Sequence, residues 1–194
     1  MVYALQPELI HAANRYQTAI GNAQDRFYCR AVGNRAGMAG ALVEQDMAGT
    51  NGPFISPAMW REMCYPYFKQ RIDHIKRYVD QVTFHCCGKT FALMDMFLDA
   101  GVDCYQSLQT TAGMEVGLLK AMYGDRVAFW GGVPVELLVG GTPEQVKDAV
   151  RQAMERGAPG GGFILGPSHS IAYGTKYENF MAMLDEYVRL RDRF

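Results

Sequence analysis

The chain has 194 residues, 49% of them hydrophobic and 20% charged, the make-up of one globular domain able to bury a core. Nineteen basic residues nearly cancel twenty acidic ones, so no basic face is offered to nucleic acid. No apolar run is long enough to cross a bilayer, and Met1 to Glu8 lacks the basic-then-apolar order of an export signal, so a cytoplasmic location is expected.

A helix is expected near Pro7 to Gly21, while the rest of the lead-in, up to about residue 38, is weakly patterned. Ala39 to Asp46 reads as a strand closing in two carboxylates. Ser56-Pro57 then opens a helix, with serine as cap and proline at the first helical position. Its apolar stripe runs from Trp60 to Ile75, and Pro66 should kink or break it. Gln81 to Cys87 is the next strand. A helix over Thr90 to Ala100 follows, stopped by Gly101. Asp103 to Leu108 is a third strand, followed by a helix over Met114 to Tyr123. Val127 to Trp130 is a fourth strand, breaking at Gly131-Gly132. Thr142-Pro143-Glu144-Gln145 is a capping box opening a helix to about Arg156. Gly162 to Leu165 is the fifth strand, and Thr175 to Glu178 reads as a second capping box before the closing helix. Gly160-Gly161-Gly162 precedes a strand rather than opening a helix, so it is not a phosphate loop.

Strands alternating with helices imply a parallel sheet. The expected fold class is α/β, with five βα units after an N-terminal helical segment, in one domain spanning residues 1–194. Periodicity alone does not separate an open doubly wound sheet from part of a closed (β/α)8 barrel. Against the roughly 200 to 250 residues of a complete barrel, the chain looks three units short at its N-terminal side. Five cysteines (Cys29, Cys64, Cys86, Cys87, Cys104) are an odd count without framework spacing, which fits reduced thiols.

The motifs choose the barrel. NGPFISPAMWREMCYPYFKQRID (Asn51 to Asp73), FHCCG (Phe84 to Gly88), FWGGVPVE (Phe129 to Glu136), GTPEQVKDAV (Gly141 to Val150) and GGGFILGPSHSI (Gly160 to Ile171) occur in this order. Together they resemble the C-terminal five-eighths of the uroporphyrinogen decarboxylase superfamily. The resemblance implies a partial (β/α)8 TIM-type barrel, commonly dimeric, with its site at the C-terminal mouth. One branch of that superfamily decarboxylates a tetrapyrrole without metal or cofactor. The other uses zinc to activate a thiol that takes a methyl group from a methylated corrinoid, and its mark is H-x-C-G. His85-Cys86-Cys87-Gly88 matches that mark. Two departures stand out. The methyltransferases usually supply a third ligand, a cysteine, after the last strand, where this chain has Gly166-Pro167-Ser168-His169. The early strands, where the decarboxylases keep a key aspartate, have no counterpart.

Side chains alternate along a strand, so His85 and Cys87 share a face and Cys86 points away. An imidazole and a thiolate side by side at a strand end are half a zinc site, and a catalytic zinc needs at least a third protein ligand. His169 is the natural candidate, because barrel strand ends converge on one mouth. Glu44 and Asp46 also share a face and could bind the ion or orient an imidazole. Substrate contacts are expected from Glu44, Gln106, Trp130, Gly131 and Ser168. The plainer alternatives are a tight turn at Gly131, barrel packing for Trp130, and buried cysteines acting as small hydrophobes. In a metal-free decarboxylase, Asp46 and His169 would be the acid–base pair. A non-catalytic barrel fragment binding a corrinoid or a corrinoid protein is a third reading. An open run of parallel strands exposes its edges, so such a fragment is completed by another chain, rearranges or is unstable; self-association into a homo-oligomer is the expectation.

Overall fold

The computed structural model describes residues 2–32 and 40–194. The helix α1 (Pro7–Val32) leads in, followed by β1 (Gly40–Glu44). A small antiparallel hairpin (Ala48–Gly49 with Gly52–Pro53) comes next, then α2 (Pro57–Met63) and α3 (Tyr65–Ile75). The chain continues through β2 (Gln81–His85), α4 (Met94–Ala100), β3 (Cys104–Leu108), α5 (Val116–Tyr123), β4 (Ala128–Val133), α6 (Val135–Gly140), α7 (Pro143–Gly157), β5 (Phe163–Pro167) and α8 (Tyr177–Leu190). The five main strands form one sheet in chain order, and every pairing is parallel. A doubly wound sheet would reverse strand order at a switch point, and none occurs among these strands.

The sheet is strongly curved. Strands β2 and β5 are three positions apart, roughly 14 Å in a flat sheet, yet the rings of His85, the last residue of β2, and His169, two residues past β5, have centroids 5.9 Å apart. Likewise the Ser107 hydroxyl, on β3, donates to the Ser168 carbonyl just beyond β5. The arc is part of a barrel wall. Its convex side is packed: Phe84 of β2 meets Phe68 of α3 and Phe97 of α4, each with ring centroids 4.8 Å apart, and Trp60 stands edge-on to Phe97 at 5.4 Å. A second apolar cluster joins Val133 to α7 and α8 through Val146, Val150, Met154 and Met183.

Several local expectations are corrected. Helix α1 runs past the expected end at Gly21 to Val32, held on its packed side by polar contacts: Asn14 donates to the Met63 carbonyl, and Arg71 bonds Asn22 and Asp25. The rest of the weakly patterned stretch, residues 33–38, lies outside the described residues. The expected start of the first strand at Ala39 lies outside the described residues, and β1 ends at Glu44, two residues early. Pro66 does mark a break, between α2 and α3. β4 does not stop at Gly131 but continues to Val133. The Thr142 capping box forms in full, with Gln145. The one at Thr175 does not: Lys176 is the cap residue, its N–H donates to the Leu138 carbonyl, and Asn179 donates to the Leu137, Leu138 and Gly141 carbonyls. Tertiary bonds to α6, an element absent from the sequence reading, thus set where α8 begins.

One buried carboxylate clamps α8 to α7. Glu186 accepts from Arg189 and Arg151, and these guanidiniums hold its pKa down at about 2, with burial opposing them. The ionised form is therefore favoured in the fold. Its stabilisation is present above the ordinary carboxylate range and is lost as pH falls towards 2. Glu186→Gln is expected to cost about 1–2 kcal/mol at neutral pH, read from the midpoint of urea unfolding, with the difference from wild type shrinking in acid.

Candidate metal centre

Parallel register lines up one residue from each strand across the concave face. Glu44 pairs with His85, His85 with Gln106, Gln106 with Trp130, and Trp130 with Ile164. In parallel strands, registered partners project to the same side, so the first four form a row of chemistry-bearing side chains. They line a cleft of about 580 Å³ together with Leu42, Gln45, Asp46, Pro167, His169, Ser170 and Ile171.

At the centre of the row His85, Cys87 and His169 each bring one ligand atom, all within 4.8 Å of one another. His85 Nε2 lies 3.4 Å from Cys87 Sγ, and His85 Nδ1 meets Gln106 Oε1. Cys86 turns the other way, as strand parity requires. It is fully buried, accepts a hydrogen bond from the Met47 N–H at 3.2 Å, and is pushed up to about 12, chiefly by burial. It is an inert thiol packed in the convex-side core. Cys87 is half-buried, and burial first, then the charges of Asp46 and Glu44, raise its thiol pKa, with the Ser107 hydroxyl opposing them. Those same charges would favour a cation there. An imidazole nitrogen, a sulfur and a second imidazole in mutual reach, with an open cleft beyond, suit a zinc ion with one free position.

The segment after β2 is held by its surroundings. Asp46 Oδ1 accepts from the Cys87 N–H at 2.8 Å and lies 3.9 Å from His85 Nε2. Tyr105 donates its hydroxyl to the Cys86 carbonyl at 2.7 Å, and Gln109 Oε1 accepts from the Gly88 N–H. Gly88 has φ +84°, and a Cβ there would come within 2.5 Å of the Ala48 carbonyl oxygen. Only glycine lets the hairpin close over the strand end.

Of the residues expected to meet substrate, Glu44, Gln106 and Trp130 line the cleft. Gly131 and Ser168 do not. At Gly131 a Cβ would lie 2.9 Å from the Leu108 nitrogen, so its small size serves strand packing. Ser168 is buried, and its hydroxyl accepts from the Val135 N–H at 3.1 Å, which fixes the turn into α6. The residue that parity missed is Ser107. The register between β3 and β4 shifts between Gln106 and Leu108, a bulge that breaks alternation. Ser107 thereby faces the mouth with Gln106, its hydroxyl 3.7 Å from Cys87 Sγ. Nothing in the sequence signals the bulge. Leu42 was legible, since it shares the parity of Glu44.

The uroporphyrinogen decarboxylase family model matches residues 28–189. The chain belongs to that family. It is 29% identical over 136 residues to a methylated-thiol–coenzyme M methyltransferase of Methanosarcina mazei, an alignment covering 70% of this chain and 33% of that protein. Its fold is similar to that of a methyltransferase from Methanosarcina mazei, with a TM-score of 0.70 at 20% identity, over 88% of this chain and 47% of the other. The curved five-strand sheet and its helices are therefore a TIM-barrel-type wall, and the chain spans between a third and a half of these relatives' length. No helix among the described residues is long and apolar enough to cross a membrane.

Proposed function

We propose that this chain carries the metal-binding half of a zinc-dependent methyltransferase, which moves a methyl group from a methylated corrinoid to a thiol. The observation that carries the reading is the juxtaposition of ligand atoms of His85, Cys87 and His169, all within 4.8 Å of one another, where His85 and His169 line the cleft. The name of the methyltransferase relative supports it. His85, Cys87 and His169 would hold the ion. When bound, zinc lowers the pKa of an incoming thiol, so that the thiolate nucleophile exists at neutral pH.

The chain's own residues do the rest. Asp46 steadies the Cys87 backbone with one carboxylate oxygen, and Asp46 and Glu44, the carboxylates that line the cleft, would take the thiol proton. Trp130, Leu42 and Ile171 give the cleft an apolar wall for a planar macrocycle. In the transfer the sulfur gains the methyl group, the electron pair of the cobalt–carbon bond stays on cobalt, and the thiol proton leaves through the carboxylates to water.

The test is demethylation of methylcobalamin by 2-mercaptoethanol, followed by the visible spectrum of the corrinoid. Zinc-loaded chain should accelerate it, and chelated chain should not. A zinc-loaded chain without this activity would favour a non-catalytic fragment that binds a corrinoid or a corrinoid protein. A chain that retains no zinc would favour the metal-free decarboxylase reading, with Asp46 and His169 as the acid–base pair.

A further inference from the structure

The two nitrogens of His85 keep different company. Nε2 faces Cys87 Sγ at 3.4 Å, with the Asp46 carboxylate at 3.9 Å, whereas Nδ1 meets Gln106 Oε1. Gln106 is His85's registered neighbour on the adjoining strand. Sheet geometry, not a loop, brings the two side chains together, and both are partly buried. An imidazole nitrogen binds a metal only through a free lone pair, so a ring that uses Nε2 must carry its proton on Nδ1. That N–H needs an acceptor, and acceptors of this kind fix both the tautomer and the plane of the ring.

We infer that Gln106 is a positioning residue. Its carbonyl holds His85 in the Nδ1–H tautomer and aims Nε2 at the position shared with Cys87 and His169. This rests on the metal-centre reading for its purpose, but not for its geometry, since the tautomer is set before any ion arrives. The role differs from direct substrate contact. The oxygen of Gln106 is committed to the ring, so an oxygen at this place is what matters. A carboxylate would serve, and a hydrocarbon of the same length would not.

Two measurements test it. In the metal-free chain at pH 8, long-range proton–nitrogen correlation spectra should show His85 protonated on Nδ1, with its signals assigned by their loss in His85→Gln. Zinc affinity, by competition with a chromophoric chelator, should fall 10- to 100-fold in Gln106→Leu and stay near wild type in Gln106→Glu. An Nε2–H tautomer in the wild-type chain, or a Gln106→Leu variant that holds zinc as tightly as wild type, would overturn the inference. Should Gln106→Leu fail to fold, the wild-type tautomer decides alone. A wild-type chain with the Nδ1–H tautomer but no zinc affinity would instead remove the metal reading and leave the positioning contact standing.

Discussion

Cys87→Ser is expected to abolish zinc retention, while Cys86→Ser leaves it nearly intact. The two cysteines are adjacent in sequence but lie on opposite sides of the wall. Cys87 Sγ lies 3.4 Å from His85 Nε2, whereas Cys86 Sγ is buried against the Met47 backbone. A serine hydroxyl at position 87 does not ionise at neutral pH and is a poor ligand for a borderline-soft ion, so the loss should exceed 100-fold in affinity, on the order of 3 kcal/mol or more. Serine at 86 places a hydroxyl where the sulfur already accepts a backbone N–H, so its cost falls on stability. The pair is read by metal content after dialysis against a weak chelator. Equal loss from both substitutions would mean that the thiols act through folding alone.

In solution the chain alone is expected to self-associate at micromolar concentration. Strands β1 and β5 stand at the two ends of the sheet. Residues 41–45, which alternate in direction, all border one cavity of about 430 Å³, as residues can only where it runs along a strand's edge. Such edges template pairing. Helix α1 adds a second reason. Leu9, Tyr16, Ile20 and Phe27 fall on one face of it and are 55%, 69%, 41% and 70% exposed, while its packed face is polar. A helix with its apolar stripe outward is one waiting for cover. Light scattering should give a mass above 21.7 kDa, and replacing these four side chains by polar ones should lower it. A monodisperse monomer with cooperative unfolding would contradict the proposal.

The sequence made the strand pattern legible because buried parallel strands are short apolar runs between strong helix caps. The Thr142 box and the Ser56-Pro57 start both form as written. The opposed directions of Cys86 and Cys87 followed from parity alone, and His169 from the convergence of strand ends. What escaped was set by contacts distant in sequence. Ser107 enters the mouth through a bulge that no residue type announces. Ser168 is drawn into the turn before α6, an element the apolar pattern did not separate from β4. Helix α1 was read only to Gly21, although Leu9, Tyr16, Ile20 and Phe27 carry a helical apolar period as far as residue 27; that stripe faces outward, while the packed face is built from Asn14, Thr18, Asn22 and Asp25. Gln106 was assigned to the right face, but its tie to His85 depends on cross-strand register, which one sequence does not specify.

X-ray absorption at the zinc edge, on the chain purified without added metal and then loaded with one equivalent, bears most directly on the metal centre. One sulfur neighbour near 2.3 Å and two imidazole nitrogens near 2.0 Å, with a remaining light-atom ligand exchanged on adding a thiol, is the expected shell. A shell without sulfur, or a chain that retains no zinc at all, would contradict a site built on His85, Cys87 and His169.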